Sequence, residues 1–143
     1  MSAKAEALIG MGSNIEPQQN LQQAAVAVRK MFGDVAFSSV YRSSAVGMEG
    51  DDFLNACCLI RTELDEAGLR RCLKALEDAQ GRDRAHGSWR PRTLDLDVLM
   101  YAGEMVDDEL VRYAHAFVPA SELVGMNLPE DRDGVVKKIA LRL

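Results

Sequence analysis

Read for hydrophobic period, the chain alternates strand-like and helix-like runs. "AEALIGMGSN" starts apolar and ends in Gly10, Gly12, Ser13 and Asn14, which predicts a buried strand over residues 5–11 running into a turn. Pro17 then stands where a first helical turn tolerates it, and Leu21, Ala24, Ala25, Val28 and Phe32 repeat at helical spacing before Gly33. "VAFSSVYR" and "DFLNACCLIRT" are β-branched, aromatic or alternating runs, hence a second and a third strand, joined by the Gly-containing "SSAVGMEGD". From Asp65, a candidate N-cap, Leu69, Cys72, Leu73, Leu76 and Ala79 share one helical face, and Gly81 suits the C-terminal cap.

"GRDRAHGSWRP" has neither period and leads into a fourth strand, "RTLDLDVLMY". The order strand, helix, strand, strand, helix, strand predicts an α+β fold, a ferredoxin-like β-α-β-β-α-β sandwich. A short C-terminal extension follows: a short pair around Glu104–Val111, then helical turns near Pro119–Val124 and Gly134–Leu141. One domain over residues 1–143 is expected, because 143 residues at 48% hydrophobic composition fill one core better than two.

Charge narrows the partners. A formal net charge of -5 argues against nucleic acid or an anionic membrane, so any bound anion must be met by a local cluster. An RNA-binding sheet would also need basic character and more stacking rings than four Phe, three Tyr and one Trp. No apolar run nears the ~18 residues of a membrane span. "MSAKAEALIG" lacks the apolar core of a signal peptide, which makes the cytoplasm the expected compartment. Cys57, Cys58 and Cys72 show no metal-ligand spacing, and their odd count argues for reduced core thiols rather than disulfides. With only His86 and His115, a multi-histidine zinc site is not expected. The expected state is a monomer, with a dimer open.

The chemistry concentrates in "SWRPRTLDLDVLMY". Strand period puts Asp95 and Asp97 on one face, ~6.6 Å apart, while Leu94, Leu96 and Val98 enter the core. Two readings follow: a solvated strand with polar alternation, or two repelling carboxylates compensated by a divalent cation. The preceding loop supplies Arg82, Arg84, Arg90 and Arg92. Each alone could be a solvated loop charge, but guanidinium forks suit phosphate oxygens, so acid patch and basic loop together describe a nucleotide-triphosphate site. Arg92, three residues before Asp95, is the leading phosphate candidate. Trp89 either caps the core or closes over a bound nucleotide. Glu77 is either solvated or functional. Phe53 and Asn55 lie opposite Leu54, Ala56, Cys58 and Ile60; they offer a plane and an amide to a flat heterocycle, or serve as second-layer core and edge polar group.

At these residues the chain resembles the 6-hydroxymethyl-7,8-dihydropterin pyrophosphokinase family, which moves the β,γ-diphosphate of ATP onto the pterin hydroxymethyl oxygen. The matching pieces are "GSN" at 12–14, "YR" before a Gly-ended loop at 41–47, "DFLNA" at 52–56, "LEDAQGRDR" at 76–84 and "WRPRTLDLDVLMY" at 89–101. The resemblance implies two Mg2+ ions between Asp95, Asp97 and the phosphates of the co-substrate ATP. It implies pterin contacts from Phe53, Asn55, Val46, Trp89 and Phe117, and nucleotide contacts from Glu77, Arg84, Arg92 and His115. Arg82, Arg92, Asp95 and Asp97 would be catalytic, with Arg82, Arg84, Trp89 and Arg92 on a mobile loop.

Three departures matter. Arg90 stands where the family has a small residue, and Ser43–Gly47 lacks the family's prolines. After Glu109 the segment "LVRYAHAFVPASELVG" is shorter than the family's, so His115 either meets the nucleotide or merely precedes Phe117, and Arg112 is the one candidate for the family's Arg. Two functions are therefore weighed: a pyrophosphokinase, or a diverged, catalytically weak copy that binds a pterin or nucleotide without turnover.

Overall fold

A computed structural model describes residues 4–43, 52–81, 94–125 and 134–143; Val46, Arg82, Arg84, Trp89, Arg90 and Arg92 lie outside the described residues. The elements are β1 (Ala5–Ser13), α1 (Pro17–Phe32), β2 (Ala36–Phe37), β3 (Val40–Ser43), β4 (Phe53–Thr62), α2 (Glu66–Gly81), β5 (Asp95–Tyr101), β6 (Glu104–Met105), α3 (Glu109–Arg112), α4 (Ala114–Ser121) and β7 (Val136–Ile139). The fold is mixed α/β: an antiparallel sheet in the order β6-β5-β1-β4-β3-β7, with β2 also on β4. β1 is paired on both sides, by β4 and by β5.

Period-two alternation sorts the central strands into two faces. Ala7, Ile9 and Met11 of β1, Leu54, Ala56, Cys58 and Ile60 of β4, and Leu96 and Val98 of β5 bury one face against Leu21, Ala24 and Val28 of α1 and Leu69 and Leu73 of α2. Each buried Leu, Ile or Val contributes roughly 1.5–3 kcal/mol, more than a helix of this length gains from propensity, so packing rather than local preference holds α1 and α2. Their ends are set locally. Gly33, at φ 78, stops α1 and its N–H donates to the Arg29 carbonyl at 2.9 Å. Asp65 caps α2, its Oδ1 accepting the Gly68 N–H at 2.7 Å.

The other face carries a smaller core, in which Leu8, Cys57 and Leu99 meet Leu110 of α3 and Ala116 and Ala120 of α4. A bulge makes it possible: Ile9 pairs with Val98 but Leu8 pairs with Met100, so the extra residue Leu99 and its neighbour Met100 both turn to this side. A second bulge lies at Ser38–Ser39, because Phe37 pairs with Cys58 whereas Tyr41 pairs with Asn55. There the Ser38 N–H donates to the Cys57 carbonyl at 2.9 Å, and Ser38 Oγ accepts the Cys57 N–H at 2.8 Å.

Several elements differ from the sequence reading. The second strand is broken by that bulge into β2 and β3. Of the pair expected around Glu104–Val111, only β6 is a strand; it turns back on β5 through Ala102 and Gly103, at φ 53 and 84, as a two-residue hairpin with both residues left-handed requires. The remainder folds as α3, and α4 begins well before the helical turns expected from Pro119. Gly134–Leu141 is not helical: β7 pairs with β3, from Val40 opposite Ile139 to Ser43 opposite Val136. Val136 and Ile139 sit at a spacing compatible with a helix, but the open edge of β3 presents unpaired backbone groups that a β-branched segment satisfies. Cys57 and Cys58 are buried free thiols as expected, whereas Cys72 is only half-buried beside Met31.

Replacing Ser38 by Ala leaves the buried Cys57 N–H without its acceptor. The expected loss is about 1–3 kcal/mol of unfolding free energy in a denaturant titration, and an unchanged midpoint would show that the bulge does not depend on that hydroxyl.

Candidate functional site

On the second face, β1 reads Leu8, Gly10, Gly12, and the two glycines leave a trough in the middle of the sheet. Register sets what borders it. Gly12 lies between Asn55 of β4 and Asp95 of β5, and Gly10 between Cys57 and Asp97. A Cβ on Gly10 would sit 3.1 Å from Leu99 Cδ1, so that the leucine would have to give, whereas one on Gly12 would meet Asn55 Oδ1 at an ordinary 3.4 Å. With Glu109 of α3 and His115 and Ala116 of α4 above them, these residues enclose a cavity of about 300 Å³ that Phe53 and Ser43 also line. That volume is on the scale of a small planar ligand.

The cavity is polarised. At one side Phe53 offers a ring face beside Asn55, which is buried and donates from Nδ2 to Ser43 Oγ at 2.7 Å. This bond fixes the amide so that its oxygen faces the trough side of Gly12. At the other side stand Asp95, half-buried, and Asp97, exposed. Burial first, then the charges of Asp97, Asp107, Asp95 and Asp108, push the Glu109 carboxyl up to about 7. Burial holds the His115 imidazole below its usual pKa and favours the neutral form, and the ring stacks on Tyr113 with centroids 5.1 Å apart. Cys57 is raised well above the usual thiol range, chiefly by burial, and stays protonated.

The donor set decides which cation fits. Among the described residues no three His, Cys, Asp or Glu side chains are grouped closely enough to cage a metal by themselves. Two strand carboxylates without a third such ligand among the described residues would suit a hard divalent ion that completes its shell with water and phosphate oxygens.

The structure thus brings together Phe53, Asn55, Asp95, Asp97 and His115. Glu77 and Phe117 do not line this cavity. Glu77 is buried beneath β5, where its Oε1 accepts the Leu96 N–H at 2.7 Å, holding the backbone between the two aspartates. Phe117 is half-buried on α4, two residues beyond His115. Gly10, Gly12, Ser43, Cys57 and Glu109 are site residues that the sequence reading did not assign. The Leu8-Gly10-Gly12 alternation is a signal for the floor, since strand glycines mark close approach; the strand expected over 5–11 runs on to Ser13, which brings Gly12 into it as well. Glu109 carried no such signal, because only α3 brings it over the carboxylates.

Comparison with known proteins agrees with this geometry. Residues 8–132 match the family of 7,8-dihydro-6-hydroxymethylpterin-pyrophosphokinase. Three relatives are each named 2-amino-4-hydroxy-6-hydroxymethyldihydropteridine pyrophosphokinase. The Methylorubrum extorquens protein is 38% identical over 87% of this chain and 80% of its own length. The Haemophilus influenzae protein is 36% identical over 76% and 70%, respectively. The Synechocystis protein is 34% identical over 76% of this chain, which spans 57% of that relative's length. A mixed α/β sheet bearing a carboxylate pair beside a ring-sized slot, with these relatives, places the molecule in the pyrophosphokinase class of transferases. The chain belongs to the 7,8-dihydro-6-hydroxymethylpterin-pyrophosphokinase family, whose reaction is ATP-dependent pyrophosphoryl transfer to hydroxymethyldihydropterin in folate biosynthesis.

The Glu109 carboxyl gives a direct check of the field. Its NMR titration should have a midpoint near 7, and Asp97→Asn should lower it by removing the largest contribution of negative charge from its neighbours; a midpoint at the ordinary 4.5 would refute the arrangement. The sign for stability follows: the folded chain holds this proton more tightly than the unfolded one, so its contribution is complete below pH 4.5 and lost as pH rises through about 7. Glu109→Gln should flatten that part of the stability profile.

Proposed function

We propose that this chain transfers the β,γ-diphosphate of ATP to 6-hydroxymethyl-7,8-dihydropterin, with the cavity over β1 as the pterin slot. The observation that carries the reading is the row Asn55, Gly12, Asp95: an oriented amide, a floor without side chains and a metal-binding carboxylate follow one another across three strands. The heterocycle lies on the glycine floor with Phe53 against its face and Asn55 on its polar edge. Its hydroxymethyl group then points along the sheet toward Asp95 and Asp97. The pterin oxygen attacks the β-phosphorus in line, the bond to the AMP oxygen breaks, and the hydroxyl proton is lost to the carboxylate side of the cavity.

Two Mg2+ ions bound by Asp95 and Asp97 would neutralise charge on the transferring group. The chain's own contribution is alignment and exclusion of water. β1 and β4 hold the ring, β5 presents both aspartates on one face, and Glu77 steadies β5 between them. His115 roofs the slot and, favoured as the neutral imidazole, adds no charge over the ring. Arg82, Arg84, Arg92 and Trp89 supply the phosphate-binding loop, and Val46 the pterin-side loop; Phe117 would need to close from α4 to reach the ring.

The wider architecture supports the same reading. β5-β1-β4-β3 is the strand order of a ferredoxin-like sheet, with α1 and α2 on one face and β7 and α4 as the extension. On this reading the chain acts as one domain, a monomer with a dimer open, working in the cytoplasm where the family's substrates are met. Separately, no described helix is long and apolar enough to cross a membrane. The relatives give no support to a binding module without turnover.

Protein mixed with ATP, Mg2+ and 6-hydroxymethyl-7,8-dihydropterin should release AMP, resolved from ADP by chromatography, only when the pterin is present. Asp97→Ala should lower kcat by at least about 100-fold while the far-UV circular dichroism is retained, since the side chain is exposed and its loss leaves no cavity. Pterin and ATP binding without AMP would instead favour the diverged copy.

A further inference from the structure

The roof of the cavity is tied down at a distance from the chemistry. α4 carries His115 and Ala116 over the trough, and its small residues Ala116 and Ala120 let it approach Leu8 and Cys57 closely. Small contacts give a helix little resistance to sliding or tilting. Besides the Cys57 thiol on the Ala116 carbonyl at 3.7 Å and the apolar packing of Leu123 and Val124, α4 has a polar tie in Glu122 at its C-terminal end. Its Oε1 accepts the Ser39 N–H and the Ser39 hydroxyl, each at 3.0 Å, and its Oε2 accepts the Tyr41 hydroxyl at 2.5 Å.

Each of these donors comes from a feature that also shapes the floor. Ser39 belongs to the bulge whose other residue, Ser38, satisfies the cavity-lining Cys57. Tyr41 pairs directly with Asn55, and Ser43, two residues on, accepts the Asn55 amide. The same short segment of β3 therefore holds the amide of the floor and the end of the roof helix. Burial and the hydrogen bond to Glu122 push the Tyr41 hydroxyl up to about 12, so it remains a donor. Burial disfavours ionised Glu122, yet the bonds from Tyr41 and Ser39 and the charge of Lys138 outweigh it, so it remains an acceptor.

We propose that Glu122, with Ser39 and Tyr41, is a positioning latch that fixes α4 above the sheet and so sets the clearance for a flat ring between His115 and the glycine floor. The latch lies about 10 Å along the helix from His115, so loosening it tilts the roof without removing any group that touches substrate. The proposal rests on reading this cavity as the pterin slot. It makes Glu122 and Tyr41 determinants of pterin affinity rather than catalytic residues.

The test uses the full chain carrying Tyr41→Phe, Glu122→Ala or Glu122→Gln, read by amide hydrogen exchange, by 6-hydroxymethylpterin fluorescence and by calorimetry with Mg2+ and a non-hydrolysable ATP analogue. Glu122→Ala should speed exchange across α4 about 10-fold relative to β1 and raise the pterin Kd by a similar factor, with the nucleotide Kd within twofold of wild type. Glu122→Gln should fall between, since its one carbonyl oxygen still accepts from Ser39. Unchanged exchange in α4, a faster α4 with unchanged pterin Kd, or equal weakening of both ligands would overturn the latch. If the unmodified chain binds no pterin, the slot reading falls instead, and the exchange comparison alone decides whether Glu122 holds α4.

Discussion

The pairing of β1 with β4 on one side and β5 on the other is the interaction from which the rest of the molecule follows. It brings Asn55, Gly12 and Asp95 into one row, and Cys57, Gly10 and Asp97 into the next. A slip of one residue would turn every glycine and aspartate into the helix-packed core and every core leucine out. The register is therefore enforced by the hydrophobic face that α1 and α2 cover, while the chemistry sits on the face that this enforcement leaves open. The site is precise because it is the reverse side of a core that tolerates no alternative.

Irregularities adapt that regular frame. The Leu99 bulge supplies two apolar side chains where α3 and α4 need a core, and the Ser38–Ser39 bulge frees backbone and hydroxyl donors at the sheet edge. Both bulges lie beside the cavity or on the strands that border it. Extra twist at those points lets a short helix cross the sheet close enough to roof a shallow trough.

Electrostatics gives the cavity its direction. One side is apolar and amide-bearing, suited to a neutral ring; the other gathers Asp95, Asp97 and Glu109. Carboxylates gathered in this way repel one another, and that repulsion adds to burial in raising the Glu109 carboxyl. Family membership gives the pair of substrates, a pterin and ATP.

The sequence by itself determined which residue types could do chemistry and which elements they would occupy. The helical periods of α1 and α2, the alternation of "DFLNACCLIRT" and the D-x-D of β5 are local patterns, and local sterics suffice to read them. The motif from Trp89 to Tyr101 also carried the family. Tertiary structure alone decided the rest. Whether "VKKI" was helix or strand depended on the open edge of β3, whether Gly12 began a turn or continued the floor from Gly10 depended on two partner strands, and Glu77 became a support for β5 through packing of α2. Glu109 and Glu122 acquired their places only when α3 and α4 crossed the sheet. These are non-local contacts, and no period along the chain encodes what lies beside a residue in space.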